Sequence, residues 1–282
     1  MAEKRRAKRG NGCVRARPKG QKAIWELRYS LGKDAAGKRR VVTATFRGTE
    51  TAANAELRRR LAEVDKGQHI DPSKLTVSDY LNHWLADWAA VNLSPKSLER
   101  YTELLTLHAK PHIGGLKLQR LQILDLTQLY AKLLKGDDGD GGLSAATVGY
   151  VHRVLHNALQ QALLWKLIQT NPAALAEPPR TEAREIEILA PANVTVLLAG
   201  LAGRDIRPLV ITALGTGMRR GEILALRWKD VDLTRNDRGQ IRVEQSLEQT
   251  KAGGLRIKPP KTKHGRRRIA LPDYLVAELR GH

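Results

Sequence analysis

The spacing of apolar residues changes along the chain, and each spacing limits the fold of the segment that carries it. Apolar and polar residues alternate in AIWELRYSL (23–31), and β-branched residues fill RRVVTATF (39–46), which predicts two strands. From residue 76 onwards apolar residues recur every three or four positions, as they do on one face of a helix. Polar, proline-bearing stretches at 68–75 and 176–190 separate these zones. The sequence therefore predicts several folded units joined by linkers.

We predict a multidomain, mainly α fold with small β elements. Residues 12–67 are expected to form an N-terminal three-stranded sheet plus one helix. Residues 74–176 are expected to form a helical bundle, and residues 187–282 a partial α+β domain. Residues 1–11 are charged and aperiodic, which is typical of a disordered basic tail.

The helical zone carries its own start signals and core pattern. Ser94 and Pro95 are typical of a helix cap and a first helical position, and Ser144 or Thr147 of the start of a long fourth helix. One buried stripe is expected on the first helix of this zone. Its members are Val77, Tyr80, Leu81, Trp84, Leu85, Trp88 and Val91.

The charge balance indicates that the partner is a polyanion. The net charge is +20 and the isoelectric point is near 10.4, with basic residues spread over the whole chain. That distribution favours a protein that follows a long phosphate track over one that lies on a membrane. No stretch is apolar enough to cross a membrane or to act as a secretory signal. The single cysteine, Cys13, excludes a disulfide framework and a cysteine zinc site, and fits a reducing cytoplasm.

Two adjacent arginines follow a glycine turn in TGMRRGEILALRW (216–228). A helix–turn–helix junction of this kind directs backbone N–H groups and the first side chains outward, which is a geometry that binds anions. Glu222 lies one helical turn after Arg219 and can fix its guanidinium by hydrogen bonds, so that it offers a two-pronged donor to a phosphodiester. From the spacing alone, a purely structural Arg–Glu pair is the more common arrangement.

A second basic stretch, LRIKPPKTKHGRRRIALP (255–272), predicts two strands around a basic turn. Seven of the fourteen residues from Leu255 to Arg268 are lysine or arginine. A turn of this composition can reach a DNA groove, and a lysine whose pKa is lowered by its neighbours can donate a proton to a leaving oxygen. A solvated basic hairpin is the alternative interpretation.

Taken together, these stretches resemble the tyrosine site-specific recombinases, specifically the phage integrases. TALGTGMRRGEILALRWKDVDL (212–233) resembles the first catalytic-arginine box of that family, and KPPKTKHGRRRIALP (258–272) its lysine hairpin. LSAATVGYVHRVLHNALQQALLWKLIQTNPA (143–173) resembles the end of the core-binding helical domain. Residues 12–67 resemble the small arm-binding domain, so that the resemblance covers nearly the whole chain.

The resemblance implies a reaction and a set of residues. In the family a tyrosine attacks a DNA phosphodiester and forms a 3′-phosphotyrosyl link, two arginines hold the phosphate, and a hairpin lysine protonates the leaving 5′ oxygen. No metal or other cofactor is required. Carried over, Arg219 is the first arginine and Glu222 its support. Lys263 is the best match for the lysine, with Lys261 as the runner-up.

The resemblance also implies two catalytic features after the lysine hairpin that we do not find in this sequence. In the family a His-x-x-Arg box and a late nucleophilic tyrosine follow the hairpin. We find no His-x-x-Arg box after Lys263 and no late nucleophilic tyrosine, and we assign Tyr274 to packing. The chain is therefore expected to be a C-terminally truncated integrase that binds DNA without cutting it. A non-enzymatic DNA-binding protein, such as a regulator or competitor at attachment sites, is the alternative, and an RNA-binding protein is a third interpretation.

The expected partner is double-stranded DNA, on the nucleoid of a bacterial host. The N-terminal sheet should bind arm-type attachment sites, the other two domains should clamp the core-type site, and the complete protein is expected to form a homo-tetramer on DNA. The side chains expected to touch DNA are Arg15, Arg17, Arg28, Arg39, Arg40, Lys96, Arg100, Arg153, Lys261, His264 and Arg266.

Overall fold

The chain is mainly helical with three small sheets, as the sequence predicts. The computed structural model describes residues 12–16, 24–33, 37–65, 70–136, 141–182, 187–234 and 239–282. The expected basic tail (1–11) and Arg17 therefore lie outside the described residues. Within the described ranges, no helix is both long and apolar enough to cross a membrane.

The described residues form eight strands and eleven α-helices. The strands are β1 (Gly12–Ala16), β2 (Ile24–Lys33), β3 (Arg39–Arg47), β4 (Val231–Asp232), β5 (Gln240–Val243), β6 (Ser246–Thr250), β7 (Gly254–Lys258) and β8 (Arg267–Ala270). The helices are α1 (Glu50–Asp65), α2 (Val77–His83), α3 (Ala90–Asn92), α4 (Pro95–Leu104), α5 (Lys110–Ile113), α6 (Ile123–Lys135), α7 (Ala145–Leu164), α8 (Pro191–Gly200), α9 (Arg207–Thr216), α10 (Arg220–Ile223) and α11 (Asp273–Arg280). Two π-helical segments, Trp84–Ala89 and Leu105–Ala109, continue α2 and α4.

The N-terminal sheet has the antiparallel order β1-β2-β3, and α1 packs on one of its faces. Alternation along β2 directs Leu27 and Tyr29 towards α1, where they are 0% and 1% exposed. Trp25 packs against the same cluster and donates its indole N–H to the carbonyl oxygen of Gly48 at 2.8 Å. The aromatic residues of this sheet therefore form its core face.

The basic residues of this sheet that were expected to touch DNA do not share one face. Arg28 is exposed on the open face, because it is paired in register with Thr43 and Cys13, opposite the side that meets α1. Arg40 lies on the other side of β3 by alternation, and its Nη2 atom donates to Asp71 at 2.6 Å. A linker carboxylate thus holds one of the expected DNA contacts.

The helical zone encloses the largest hydrophobic core of the described chain. Ser94 caps α4 and Ser144 caps α7, each accepting a hydrogen bond from a backbone N–H three residues later. The predicted stripe is buried from Val77 to Leu85, and Trp88 packs partly buried against the core. These contacts join α2, α4, α6 and α7 into a bundle.

Val91 is 81% exposed, so its place in the predicted stripe was wrong. The reason is the π-helical segment Trp84–Ala89. A π turn holds more residues than an α turn, and the residues after it rotate around the helix axis. Ala89, fully buried, occupies the core in place of Val91.

The C-terminal part has a third core, which packs α9, α10 and α11 around a small sheet. β5 pairs with β8 and β4, while β6 pairs with β7, all antiparallel. The sequence predicted one hairpin from the strands that flank the basic turn. Those strands, β7 and β8, belong to different sheets, so the basic residues 259–266 cross between two sheets.

We expect Trp84→Ala to lower the free energy of unfolding by about 4 kcal/mol, because it empties a fully buried aromatic site. Trp84 also stacks on Trp88 and Tyr101, with ring centroids 5.6 and 6.2 Å away. Val91→Ala is the matched control from the same predicted stripe and should cost less than about 0.5 kcal/mol. Urea unfolding followed by circular dichroism measures both. Equal losses for the two variants would contradict the register change.

Candidate functional site

Arg219 lies at the junction between α9 and α10. Gly217 ends α9 with φ +62°, a left-handed conformation that glycine adopts without strain. Met218 is buried and anchors the turn, while Arg219 in extended conformation is the N-cap of α10. The Arg219 side chain is 77% exposed. The turn therefore fixes the backbone and directs the guanidinium outward.

Glu222 holds Arg219 at two points. The backbone N–H of Arg219 donates to Oε2 of Glu222 at 3.0 Å, and Nη1 of Arg219 donates to Oε1 at 3.0 Å. The Glu222 side chain is only 2% exposed. Among the described residues, the Nε and Nη2 atoms of Arg219 have no hydrogen-bond partner, so these donors face solvent. The predicted Arg219–Glu222 pair is thus present, with the arginine open to a ligand.

α10 reaches this position through a close approach to β6. A Cβ atom at Gly221 would lie 2.6 Å from the carbonyl oxygen of Leu247 and 2.6 Å from the hydroxyl of Ser246. Only glycine leaves room for that contact. The sheet formed by β6 and β7 thereby supports α10, the helix that carries Glu222.

A second arginine, Arg267 of β8, meets the same carboxylate and was missed by sequence reasoning. Its Nη1 donates to Oε1 of Glu222 at 3.2 Å and its Nη2 to Oε2 at 2.9 Å. The alternation of RRRIA (266–270) was the available signal, because Arg267 and Ile269 are partly buried while Arg266 and Arg268 are exposed. Identifying the partner required the fold, since the two residues are 45 positions apart.

The two arginines decide the charge state of Glu222. Burial alone would raise the pKa of this carboxyl. Hydrogen bonds from Arg267, from the backbone N–H of Arg219 and from the Arg219 side chain outweigh burial and lower the pKa of Glu222 from 4.5 to about 2. Its negative charge raises the pKa of Arg267 in turn. Glu222 therefore remains ionised in the folded protein down to about pH 2.

The basic crossing, residues 259–266 between β7 and β8, contains Lys263, the expected catalytic lysine, and its neighbours. Lys261 and His264 are exposed, and Arg266 is exposed with its Nε 3.9 Å from a carboxylate oxygen of Glu244. The backbone of Lys263 forms a 3-10 turn over Lys263–Gly265, while its side chain lies outside the described part of the structure.

The prediction that no His-x-x-Arg sequence follows Lys263 was wrong. His264 and Arg267 have this spacing. In the structure they lie in a turn and on β8, and both terminal nitrogens of Arg267 are used on Glu222. Tyr274 is 54% exposed, and a Cβ atom at Gly215 would lie 2.9 Å from its hydroxyl, so it packs beside α9.

The remaining predicted contacts lie on the other two parts of the chain. Lys96 on α4 is exposed, whereas Arg100 donates to Glu103 at 2.9 Å. Arg153 on α7 is exposed and lies over the ring of Tyr150, 5.0 Å from its centroid.

Arg15 and Arg28 are exposed on the open face of the N-terminal sheet, and Arg39 donates from Nε to the hydroxyl of Ser30 at 2.9 Å. Arg47 is also exposed on the open face, because it pairs with Ile24 in register, and it was absent from the sequence prediction. The alternation of side chains along β3 could have identified Arg47.

Within the described ranges, no group of three or more His, Cys, Asp or Glu residues could hold a metal ion.

Comparison with known proteins finds relatives of one kind. Residues 76–134 match the phage integrase N-terminal SAM-like domain. The tyrosine recombinase XerC-like protein of Caldanaerobacter subterraneus is 24% identical over 94% of this chain and 69% of its own length. An integrase of Streptomyces ambofaciens is 28% identical over 99% of this chain and 69% of its own length. Over most of its length the chain is therefore similar to phage-type integrases and tyrosine recombinases.

Solved structures show the same fold. The integrase of the Tn1549 transposon, in complex with transposon right end DNA, aligns with a TM-score of 0.60 at 22% identity. That alignment covers 73% of this chain and 64% of the solved one, so this chain spans less than two thirds of the length of the Tn1549 integrase structure. A lambda integrase tetramer bound to a Holliday junction aligns with a TM-score of 0.50 at 18% identity, over 90% of this chain and 70% of the other.

We expect Glu222→Gln to lower the free energy of unfolding by about 3 kcal/mol at pH 7, because it leaves two arginines without their buried counter-charge. The pKa of Glu222 is lowered, so its contribution is present above pH 4.5 and is lost as the pH falls through about 2. The difference from the unaltered protein should therefore shrink below pH 4.5. Denaturant unfolding at several pH values measures it.

Glu244→Gln is the control, because the Glu244 side chain is 43% exposed and makes only a 3.9 Å ion pair. It should change stability by less than about 0.5 kcal/mol at each pH. A Glu222→Gln deficit that stays constant down to pH 3 would contradict the charged state assigned to the cluster.

Proposed function

We propose that this chain binds attachment-site DNA and that Arg219 contacts a phosphodiester at the crossover site. The observation that carries the proposal is the geometry of Arg219. Its guanidinium is 77% exposed, is tied to a buried carboxylate through one nitrogen, and keeps other donors free. A planar cation held in this way matches the two oxygens of a phosphate. The net charge of +20 supports a nucleic acid as the ligand.

A purely structural role is the alternative for the Arg219–Glu222 pair, because exposed arginines often pair with a carboxylate three residues away. Here the buried charge is Glu222, and Arg267 already compensates it with two hydrogen bonds. Structural compensation therefore does not require the exposed guanidinium of Arg219, which favours a ligand as its second partner.

The complete reaction is proposed by analogy with the family. Arg219 would hold the scissile phosphate and stabilise the charge that develops on its oxygens. A lysine of the basic crossing, Lys263 or Lys261, would protonate the leaving 5′ oxygen. The nucleophilic tyrosine and the second phosphate-binding arginine have no assigned counterpart among residues 220–282. We therefore propose that this 282-residue polypeptide binds DNA without cutting it, as a regulator or competitor at attachment sites would.

The other two units would supply affinity along the duplex. Three hydrophobic cores, one each in the N-terminal sheet, the helical bundle and the C-terminal part, support the division at 12–67, 74–176 and 187–282. The open face of the N-terminal sheet, with Arg15 and Arg28, would follow arm-type DNA. Lys96 and Arg153 of the bundle would contact the core-type site. Binding at nucleoid DNA and tetramer assembly on DNA in the complete protein belong to the same proposal.

Replacing Arg219 tests the phosphate contact. Arg219→Ala should weaken duplex binding about tenfold and reduce the slope of log affinity against log salt by about one, because one phosphate contact is lost. Arg220→Ala is the matched control, since Arg220 is the exposed neighbour in the same turn and pairs with no carboxylate in the part of the chain that the structure describes. Fluorescence anisotropy at several salt concentrations measures both. An equal or larger effect of Arg220→Ala would contradict the assignment.

A suicide attachment-site substrate tests whether cleavage occurs. We expect no covalent protein–DNA adduct on a denaturing gel, although the same DNA should be retained by the folded protein under native conditions. An adduct would refute the non-cleaving proposal. If one formed, its loss in Tyr274→Phe would identify the nucleophile, and a full-length relative run in parallel would show that the substrate is competent.

A further inference from the structure

Two arginines from distant parts of the chain converge on one buried carboxylate. Oε1 of Glu222 accepts from Nη1 of Arg219 at 3.0 Å and from Nη1 of Arg267 at 3.2 Å. Oε2 accepts from the backbone N–H of Arg219 at 3.0 Å and from Nη2 of Arg267 at 2.9 Å. The two guanidinium groups are not equivalent, because Arg219 is 77% exposed and Arg267 is 31% exposed.

The pairing of Arg267 with Glu222 limits what Arg219 can do. Arg267 uses both terminal nitrogens on the carboxylate in the two-pronged geometry that is strongest for this pair. It thereby occupies one lone pair on each oxygen and fixes the rotation of the carboxylate. Arg219 can then attach only through Nη1 and its own backbone N–H. Without Arg267, a rotated Glu222 could take both prongs of Arg219 and leave fewer of its donors for a phosphate.

Strand β8 holds Arg267 in place for its contact with Glu222. Arg267 is paired in register with Val243 of β5, and its Nη1 also donates to the carbonyl oxygen of Gly265 at 3.3 Å. The carboxylate is therefore located from the sheet on one side and from the start of α10 on the other. A group held from two elements keeps its position better than one held from its own helix alone.

A competing role for Arg267 is direct phosphate binding, since His264 and Arg267 have the His-x-x-Arg spacing. Its hydrogen bonds argue against that role. Three of its five N–H groups are used within the chain, two on Glu222 and one on Gly265, and its side chain is 31% exposed against 77% for Arg219. A ligand could reach these donors only by breaking the buried ion pair.

We propose that Arg267 is a positioning residue, which locks Glu222 so that Arg219 presents its free donors to a DNA phosphate. This inference rests on the proposed function, because it requires the phosphate contact of Arg219. It assigns no contact with DNA to Arg267 itself. Its effect on DNA binding passes through Glu222 and therefore requires Arg219 to be present.

A double-mutant cycle separates this role from a general charge effect. Arg267→Gln and the matched control Arg268→Gln are measured with and without Arg219→Ala, on a short mixed-sequence duplex. Arg268 is the next residue on β8, is exposed, and pairs in register with Arg242, away from Glu222. Both control and test remove one positive charge from the same strand. Circular dichroism and thermal unfolding check that each variant is folded.

We expect Arg267→Gln to weaken DNA binding by about tenfold when Arg219 is present, which corresponds to about 1.4 kcal/mol. In the Arg219→Ala background the same change should cost less than about twofold. Arg268→Gln should have the same small effect in both backgrounds. Arg267→Lys, which keeps the charge near Glu222, should recover part of the loss, and it replaces Arg267→Gln in the cycle if that variant does not fold.

The outcomes that overturn the proposal are distinct. Equal losses for Arg267→Gln with and without Arg219 would make Arg267 an independent phosphate contact or a purely structural residue. Failure of Arg267→Lys to recover any binding would show that its charge on Glu222 does not matter. If Arg219→Ala alone left binding unchanged, the proposed phosphate contact would fail, and the positioning role would fail with it. The first two results would leave the proposed function standing.

Discussion

The buried carboxylate of Glu222 links two separate elements in the C-terminal part of this chain. Glu222 is 2% exposed and remains ionised because arginines from α10 and β8 donate to both of its oxygens. A buried carboxylate without such partners would be protonated or would destabilise the fold by several kcal/mol. The same charge ties the start of α10 to strand β8 and fixes the direction in which the Arg219 side chain points. The stability of this part and the orientation of Arg219 therefore depend on one side chain.

The rest of the fold brings this cluster to the surface and supports it. Gly217, in a left-handed conformation, ends α9 and lets the chain turn into α10. Gly221 allows α10 to approach β6 closely. The helical bundle contacts the β6–β7 turn, where the backbone N–H of Lys251 donates to Glu99 of α4 at 2.6 Å. Exposed basic side chains on the bundle and on the N-terminal sheet extend the positive surface beyond Arg219. Such an arrangement suits a long anionic ligand better than a small one.

Local sequence signals predicted the elements well, because their causes are local. Ser94 and Ser144 start helices through hydrogen bonds that reach only three residues, and the stripe from Val77 to Leu85 needs nothing beyond the helical period. Val91 was misplaced because a π-helical segment adds residues to one turn, and the stripe itself gives no sign of that change. The Arg219–Glu222 pair was predicted because it spans a single helical turn.

Interactions between distant segments could not be predicted in the same way. The pairing of β5 with β8, and of β6 with β7, depends on the packing of the whole C-terminal part, and the two strands beside the basic turn looked like one hairpin. Arg267 was missed because its partner is 45 residues away, and Arg40 was assigned to DNA although Asp71 holds it. A run of arginines in a sequence shows the charge. Which of them are free is decided by the carboxylates that the fold brings near.

The most direct measurement is a structure of this chain bound to attachment-site duplex DNA. The account predicts that Nε or Nη2 of Arg219 lies about 3 Å from a non-bridging phosphate oxygen, while Nη1 stays on Glu222 and Arg267 keeps both of its hydrogen bonds to that carboxylate. A complex in which Arg219 turns away from the backbone, or in which Arg267 releases Glu222 to bind the phosphate itself, would contradict it.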